Sequence, residues 1–297
     1  MSDKTFITKS NFTFESKSTE YREMNLGIDR MSLAINAMGD ACKNIPAIHI
    51  AGTNGKGSIA TFINSVLSLV DIKTGITTSP HLVDWVERIC INKNQISKKE
   101  FKSLNLALSP ILEKYSLTPF ESVIAIALKY FTLKEVELLI LEVGLGGRLD
   151  ATTAHKHRPI IAFGAIGLDH CEYLGDNLEK IAIEKAAVIT PKSTVITAAQ
   201  HNVVKRVIKE TAIKQQAVIH WVDPLPSDWK LGLSGAIQKE NAAVAKGVIE
   251  SLKNIGWKIP EEQIREGLFL AKWPGRLQEK KWKGLSIVVD GAHNPHA

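Results

Sequence analysis

The chain has 297 residues, 44% hydrophobic and 23% charged, the balance of a globular protein with enough length for one large core or two ordinary ones. Its net charge of +6 is mild and dispersed, which suits an anionic ligand such as a nucleotide. With no basic stretch interleaved with aromatics, it argues against nucleic acid. Cys42, Cys90 and Cys171 stand far apart with no C-x-x-C spacing, which argues against a disulfide framework or a cysteine zinc site and fits a reducing compartment.

The N-terminal stretch "MSDKTFITKSNFTFESKSTE" is polar and lacks the apolar centre of a signal peptide, and no apolar run approaches the roughly 20 residues of a membrane span. The expectation is a cytoplasmic protein. Further along, "AIHIA" (47–51) reads as a buried strand and runs into "GTNGKGS" (52–58). This loop departs from the usual phosphate-loop pattern, because Gly57 separates Gly55-Lys56 from Ser58. Its parts are nonetheless those a triphosphate with Mg²⁺ requires. Three glycines turn amides inward, a lysine stands among them, and a hydroxyl starts the helix predicted from Ser58. The alternative is a plain glycine turn before a helix.

Amphipathic stretches at 98–115 and 120–131 precede a second continuous run, "ELLILEV" (137–143). That strand carries Glu142 at its end, where a carboxylate reaches a metal beside a phosphate loop, and continues into "GLGGRLDAT" with Arg148 and Asp150. A flexible turn with a solvated Arg–Asp pair is the competing reading. "PIIAFGAIG" (159–167) reads as a third strand, followed by Asp169-His170 and a helix (177–189) carrying Lys185; "TVITAA" (194–199) is a fourth. His170 is a candidate metal ligand or a structural histidine, and Lys185 a candidate site lysine or an exposed one beside Glu184. Continuous apolar strands alternating with helices predict a doubly wound, mainly parallel α/β sheet covered on both faces. After "KWPGRLQ" (272–278) the polar "EKKWKG" reads as a linker and "LSIVVD" as a strand. The expected organisation is an ATP-binding domain over 1–276 and, over 277–297, a linker with the first strand of an incomplete second α/β domain. That lone strand is expected to be mobile or loosely docked.

Together these segments closely resemble the folylpolyglutamate synthase and dihydrofolate synthase family of Mur-type ATP-dependent amide ligases. The resemblance rests on "GTNGKGS", "SPHL" with "ERI" (79–82, 87–89), "LTPFE" (117–121), "EVGLGGRLDAT" (142–152), "GLDH" (167–170), "EKAAV" (184–188), "WPGRL" (273–277) and "DGAHNP" (290–295). It departs from the family at Thr153 (usually Asn), Ala187 (usually Gly) and Ile237 (usually His).

The resemblance implies that ATP phosphorylates the carboxylate of dihydropteroate or a folate, and that L-glutamate attacks the acyl phosphate to form an amide. It implies that Asn54, Gly55, Lys56, Gly57 and Ser58 hold the phosphates, with Asn241, Arg276 and Asp290 also on the nucleotide. Ser58 and Glu142 would hold one Mg²⁺ and His170 a second. Lys185 would be carbamylated, with Lys56, Lys185 and His293 at the chemistry. The pterin side would comprise Met24, Asn25, Leu26, Arg30, Ser79, His81, Thr118, Pro119, Phe120, Glu121, Leu149, Asp150 and Ala151. The chain is expected to act as a monomer on small molecules, with neither nucleic acid nor membrane as partner. The rival readings are a cell-wall or cyanophycin ligase of the same type, and a truncated, non-catalytic nucleotide-binding relative.

Overall fold

The computed structural model describes residues 27–292 and 294. Met24, Asn25, Leu26 and His293 lie outside the described residues. An eight-stranded sheet forms the centre, built from β1 (Ala47–Ala51), β2 (Thr74–Thr77), β3 (Ile89–Ile91), β4 (Asn94–Gln95), β5 (Leu138–Glu142), β6 (Ile160–Phe163), β7 (Thr194–Thr197) and β8 (Val218–Trp221), in the order β4-β3-β2-β5-β1-β6-β7-β8. From β2 to β8 neighbours pair in parallel, while β3 and β4 add antiparallel to the edge.

The four expected strands form, although the third ends at Phe163 and leaves 164–167 as loop. Alternation within the continuous apolar runs sorts side chains between two faces. Ile48, Ile50, Leu138, Ile140, Ile160 and Ala162 pack on one side, and Ala47, Leu139, Leu141, Ile161 and Phe163 on the other.

Nine helices flank the sheet among the described residues: α1 (Asp29–Ala37), α2 (Lys56–Leu67), α3 (Lys98–Lys114), α4 (Pro119–Leu133), α5 (Cys171–Leu174), α6 (Leu178–Ala186), α7 (Asn202–Gln215), α8 (Gln238–Ser251) and α9 (Glu261–Leu270). Their boundaries follow local chemistry. Ser97 and Thr118 close capping boxes with Glu100 and Glu121 at the starts of α3 and α4, and Pro119 occupies the first turn of α4. Helices α2, α8 and α9 pack over the Ile48–Ile50 face, where Gly267 brings α9 against the backbone of Val66. Helices α1, α3 and α4 cover one end of the opposite face and α6 and α7 the other. No helix among the described residues is long and apolar enough to cross a membrane.

One expectation is corrected beyond the sheet. "EKKWKG" is no linker: β9 (Gln278–Trp282) pairs antiparallel with β10 (Leu285–Val289) through a two-residue turn at Lys283-Gly284, both with positive φ. The strand expected to stand alone has its partner immediately before it, in a small sheet separate from the large one.

Candidate active site

Parallel pairing of β5, β1 and β6 points their carboxyl ends the same way, and the chain leaves β1 toward one side of the sheet and β6 toward the other. The crevice at such a reversal is where open α/β sheets bind ligands. Residues 52–58 turn there. Gly52 takes φ +145° against the backbone of Gly164, and the Thr53 and Asn54 amides both donate to the Ala165 carbonyl at 2.8 and 3.1 Å. Thr53 Oγ1 bonds Gly167, so the loop is strapped to the segment after β6. Gly55, at φ +83°, precedes α2 without any side-chain cap, and the first amides of the helix have no intrahelical acceptor. A glycine-framed helix N-terminus of this kind is an anion cradle. Asn241, at the start of α8, lies so close to Gly55 that a Cβ there would collide with its amide, and the Trp273 ring lies against Gly57. Ser58 is buried in the first turn.

Two lysines enter this cradle from different elements. Lys56 Nζ folds back to the carbonyls of Gly52 and Thr53, both at 3.1 Å, and Lys185 Nζ reaches the same Gly52 carbonyl at 3.1 Å. Lys185 is no surface lysine of α6; it is 4% exposed, while its neighbour Glu184 turns outward to Arg148 at 2.8 Å. Burial, then the nearby Lys56 ammonium, brings the Lys185 pKa down to about 7. Burial also lowers that of Lys56, against the pull of Glu142, Asp169 and Asp150.

Glu142 ends β5 as a buried carboxylate, its pKa pushed up to about 7 by burial despite Lys56 and a hydrogen bond from the Ser79 amide at 3.1 Å. A buried acid with unused lone pairs beside a phosphate cradle fits a hard divalent cation. Arg276 lies within electrostatic reach of both Glu142 and Lys56. His170, in left-handed backbone conformation, stands 3.9 Å from Asp169 and is half-exposed. Among the described residues no group of three His, Cys, Asp or Glu side chains forms a ready-made metal cluster. Cation ligation here would draw on Ser58 and the bound phosphates as well as on Glu142.

The second group of expected site residues assembles beside the first. Both Glu121 carboxylate oxygens accept from Arg30 Nε at 2.8 and 2.9 Å, tying α1 to the start of α4 at Thr118 and Pro119. Phe120 extends from that turn over Gly144, whose missing Cβ makes room for the ring. His81 Nδ1 accepts from Arg88 Nε at 2.8 Å, with the guanidinium over Trp85. Leu149 and Ala151 flank Asp150, which is neither solvated nor paired with Arg148 as the turn reading had it. Its buried carboxylate accepts from the amides of Gly144, Leu145 and Thr152 and from the Thr152 hydroxyl. Asp290 is engaged as well, by the amides of Leu277 and Ala292, both at 2.8 Å.

Several participants escaped the sequence reading. Asp169 influences both lysines and accepts from Asn294 at 3.0 Å, and Asn294 exchanges two side-chain hydrogen bonds of 3.1 Å with Asn54. His49, Thr152 and Arg158 form a buried network under Asp150. A histidine inside an apolar strand was the available signal, since a buried polar side chain requires a partner.

A doubly wound sheet with a phosphate loop at its reversal and a buried carboxylate on the next strand defines a nucleotide-dependent α/β enzyme of the ligase type, and the Mur ligase middle domain matches residues 50–223. The yeast (Saccharomyces cerevisiae) dihydrofolate synthetase is 32% identical over 92% of this chain and 70% of its own length. The Bacillus subtilis dihydrofolate synthase/folylpolyglutamate synthase is 34% identical over 90% and 69%. Among solved structures, Mycobacterium tuberculosis folylpolyglutamate synthase complexed with ADP and AMPPCP superposes with TM-score 0.85 at 29% identity, covering 91% of this chain and 68% of that one. E. coli FolC in complex with DHPP and ADP gives 0.82 at 28%, covering 92% and 68%. The chain belongs to the dihydrofolate synthase/folylpolyglutamate synthase family of Mur-type, ATP-dependent, amide-forming ligases.

Proposed function

We propose that this chain takes part in joining L-glutamate to a pterin carboxylate, dihydropteroate or a folate, with ATP activating the carboxylate as an acyl phosphate. The observation that carries this reading is the convergence of Lys56, Lys185 and Glu142 on an uncapped helix N-terminus at the carboxyl ends of β1 and β5. Hydroxide is a poor leaving group, so amide formation needs prior transfer of a phosphoryl group to the carboxylate; such transfer depends on positioning and charge neutralisation. The amides of 55–58 and the Lys56 ammonium would hold the phosphates, Lys56 leaving the Gly52 and Thr53 carbonyls for phosphate oxygens. Asn241 and Arg276 would approach the nucleotide from α8 and from the segment before the hairpin.

Ser58 and Glu142 would hold a Mg²⁺, which would supply charge neutralisation at the phosphates. His170 for a second ion rests on the family resemblance alone. Lys185 is a candidate for carbamylation by CO₂. Its low pKa supplies the neutral amine that the reaction needs, and the resulting carbamate anion would relieve the clash of two ammoniums at one carbonyl. Arg30, Ser79, His81, the 118–121 turn and 149–151 would form the pterin side. We read 1–276 as the ATP-binding domain, 277–297 as the start of a second one, and the protein as a cytoplasmic monomer.

Phosphate release that requires both dihydropteroate (or folate) and glutamate tests the reading, alongside AMPPCP binding by calorimetry. Glutamate-dependent release is expected. AMPPCP binding without release under either pterin would assign this chain nucleotide binding alone, and no AMPPCP binding would overturn the reading.

A further inference from the structure

Beneath Asp150 four side chains form a chain of hydrogen bonds with only one self-consistent direction. Arg158, just before β6 and 7% exposed, donates from Nη1 to His49 Nδ1 at 3.2 Å, because a guanidinium can only donate. His49 Nε2 meets Thr152 Oγ1 at 2.8 Å, and that hydroxyl lies 2.5 Å from Asp150 Oδ1. The same Oδ1 takes the Thr152 amide at 2.9 Å, while Oδ2 takes the amides of Gly144 and Leu145 at 3.0 Å each. Burial raises the Asp150 pKa, but three backbone amides on its two oxygens favour the ionised carboxylate, and the Thr152 hydroxyl donates a hydrogen bond to it. It must then accept from His49 Nε2–H, leaving Nδ1 bare for Arg158. A protonated imidazole would set N–H against N–H at Arg158, and its pKa is accordingly held well below the ordinary value by burial and by Arg158.

We propose that Arg158, His49 and Thr152 are positioning residues for the ligase reaction: they anchor Asp150, and through it hold the 143–151 loop in the shape that presents Phe120, Leu149 and Ala151 to the pterin. None of the three reaches the phosphate cradle. Arg158 sits at the far end of the sheet, His49 lies inside β1 with 0% exposure, and Thr152 opens the turn after the loop. Among the described residues Arg158 has no carboxylate partner of its own and leaves Nε unpaired, so its charge is answered there through this chain and the field of Asp150. The loop's shape, in turn, depends on a cation on the opposite side of β1.

The pterin part of the proposal rests on the function given above, and the test separates the two. Thr152→Val keeps the shape and removes the hydroxyl, whereas Thr152→Ser keeps the hydroxyl. In Thr152→Val, hydrogen exchange of the Gly144 and Leu145 amides is expected to quicken by about tenfold or more, the loss of roughly one buried hydrogen bond. Dihydropteroate affinity is expected to fall by about as much, with AMPPCP affinity within about twofold of the parent, and Thr152→Ser is expected to restore both. In the unsubstituted chain, nitrogen-15 NMR of His49 is expected to give the neutral Nε2–H tautomer. Should Thr152→Val not fold, Arg158→Met, one link further from the loop, takes its place. An imidazolium or Nδ1–H His49, parent-like amide exchange in the valine variant, or a serine variant as impaired as the valine would overturn the proposal. So would dihydropteroate and AMPPCP affinities falling together. If the parent itself binds no dihydropteroate, the functional reading fails, and the exchange and tautomer measurements still decide the relay.

Discussion

Two glycine-rich loops leave neighbouring parallel strands at the same, carboxyl end of the sheet, and they are opposites. The 52–58 loop after β1 presents helix amides with no cap and two lysines resting on its own carbonyls. The 143–151 loop after β5 also turns backbone amides inward, but an aspartate from within the chain already lies among them. Glycine content alone does not distinguish the two. What does is whether an anion of the protein already occupies the concavity: an occupied one becomes scaffold, and an open one surrounded by cations becomes a binding site.

Removing the cation from the open loop should have the largest effect. Lys56→Ala is expected to cut pterin- and glutamate-dependent phosphate release by about 10²–10³-fold, the range for losing one preorganised charge stabiliser, with the circular-dichroism spectrum unchanged. Turnover near the parent's would mean the open loop is not the phosphate site. Next comes the occupied loop. In Asp150→Asn either orientation of the amide sets an NH₂ against donors, so urea denaturation should register a loss of about 3 kcal/mol. A loss under about 1 kcal/mol would show that the carboxylate is not what closes this loop.

Gly55→Ala tests the shape of the open loop more gently. Left-handed backbone costs an alanine about 1–2 kcal/mol, and the methyl would displace Asn241. AMPPCP affinity should fall about tenfold, whereas Gly39→Ala, also at positive φ but with no atom near, should leave it unchanged. Unchanged affinity in Gly55→Ala would remove the argument for a tight turn.

Acid sharpens the contrast from below the occupied loop. His155 is buried, bonded to the carbonyls of Ile45 and His157, and its pKa is pushed down to about 4 by burial. The folded form therefore excludes a proton that the unfolded chain accepts below its ordinary value near 6.5. The stability this confers is whole above about pH 6.5 and lost progressively as the pH falls toward 4. At pH 5.5 the loss should be about 1 kcal/mol, and His155→Asn should flatten this part of the stability profile. An unchanged slope would show that His155 is not held neutral.

Much of this was legible in the residues, for physical reasons. Central parallel strands are apolar on both faces, so β1, β5, β6 and β7 stood out as continuous runs, and Glu142 stood out as the acid ending one of them. Strands at the margins did not: "TGIT" of β2 is short and half polar, and β8 alternates between exposed and half-buried residues. The hairpin is hidden by the charges of "EKKWKG", which resemble a linker, although Lys283-Gly284 between two strand-length segments is a two-residue turn signal. Lys185 was legible only as one of two alternatives, since its burial comes from the distant Gly52 loop and not from its own helix. The role of Asp150 was hidden for the same reason: the Gly144 and Leu145 amides that claim its carboxylate lie across a turn that no periodicity marks.

The contrast between the loops has a direct test in amide NMR during titration with Mg²⁺ and AMPPCP. The account predicts that the amides of Gly55, Lys56, Gly57 and Ser58 shift as the cradle fills, while those of Gly144 and Leu145, already bonded to Asp150, stay where they are. Shifts at Gly144 and Leu145 as large as those at 55–58, or a silent 55–58 loop in the presence of bound nucleotide, would contradict it.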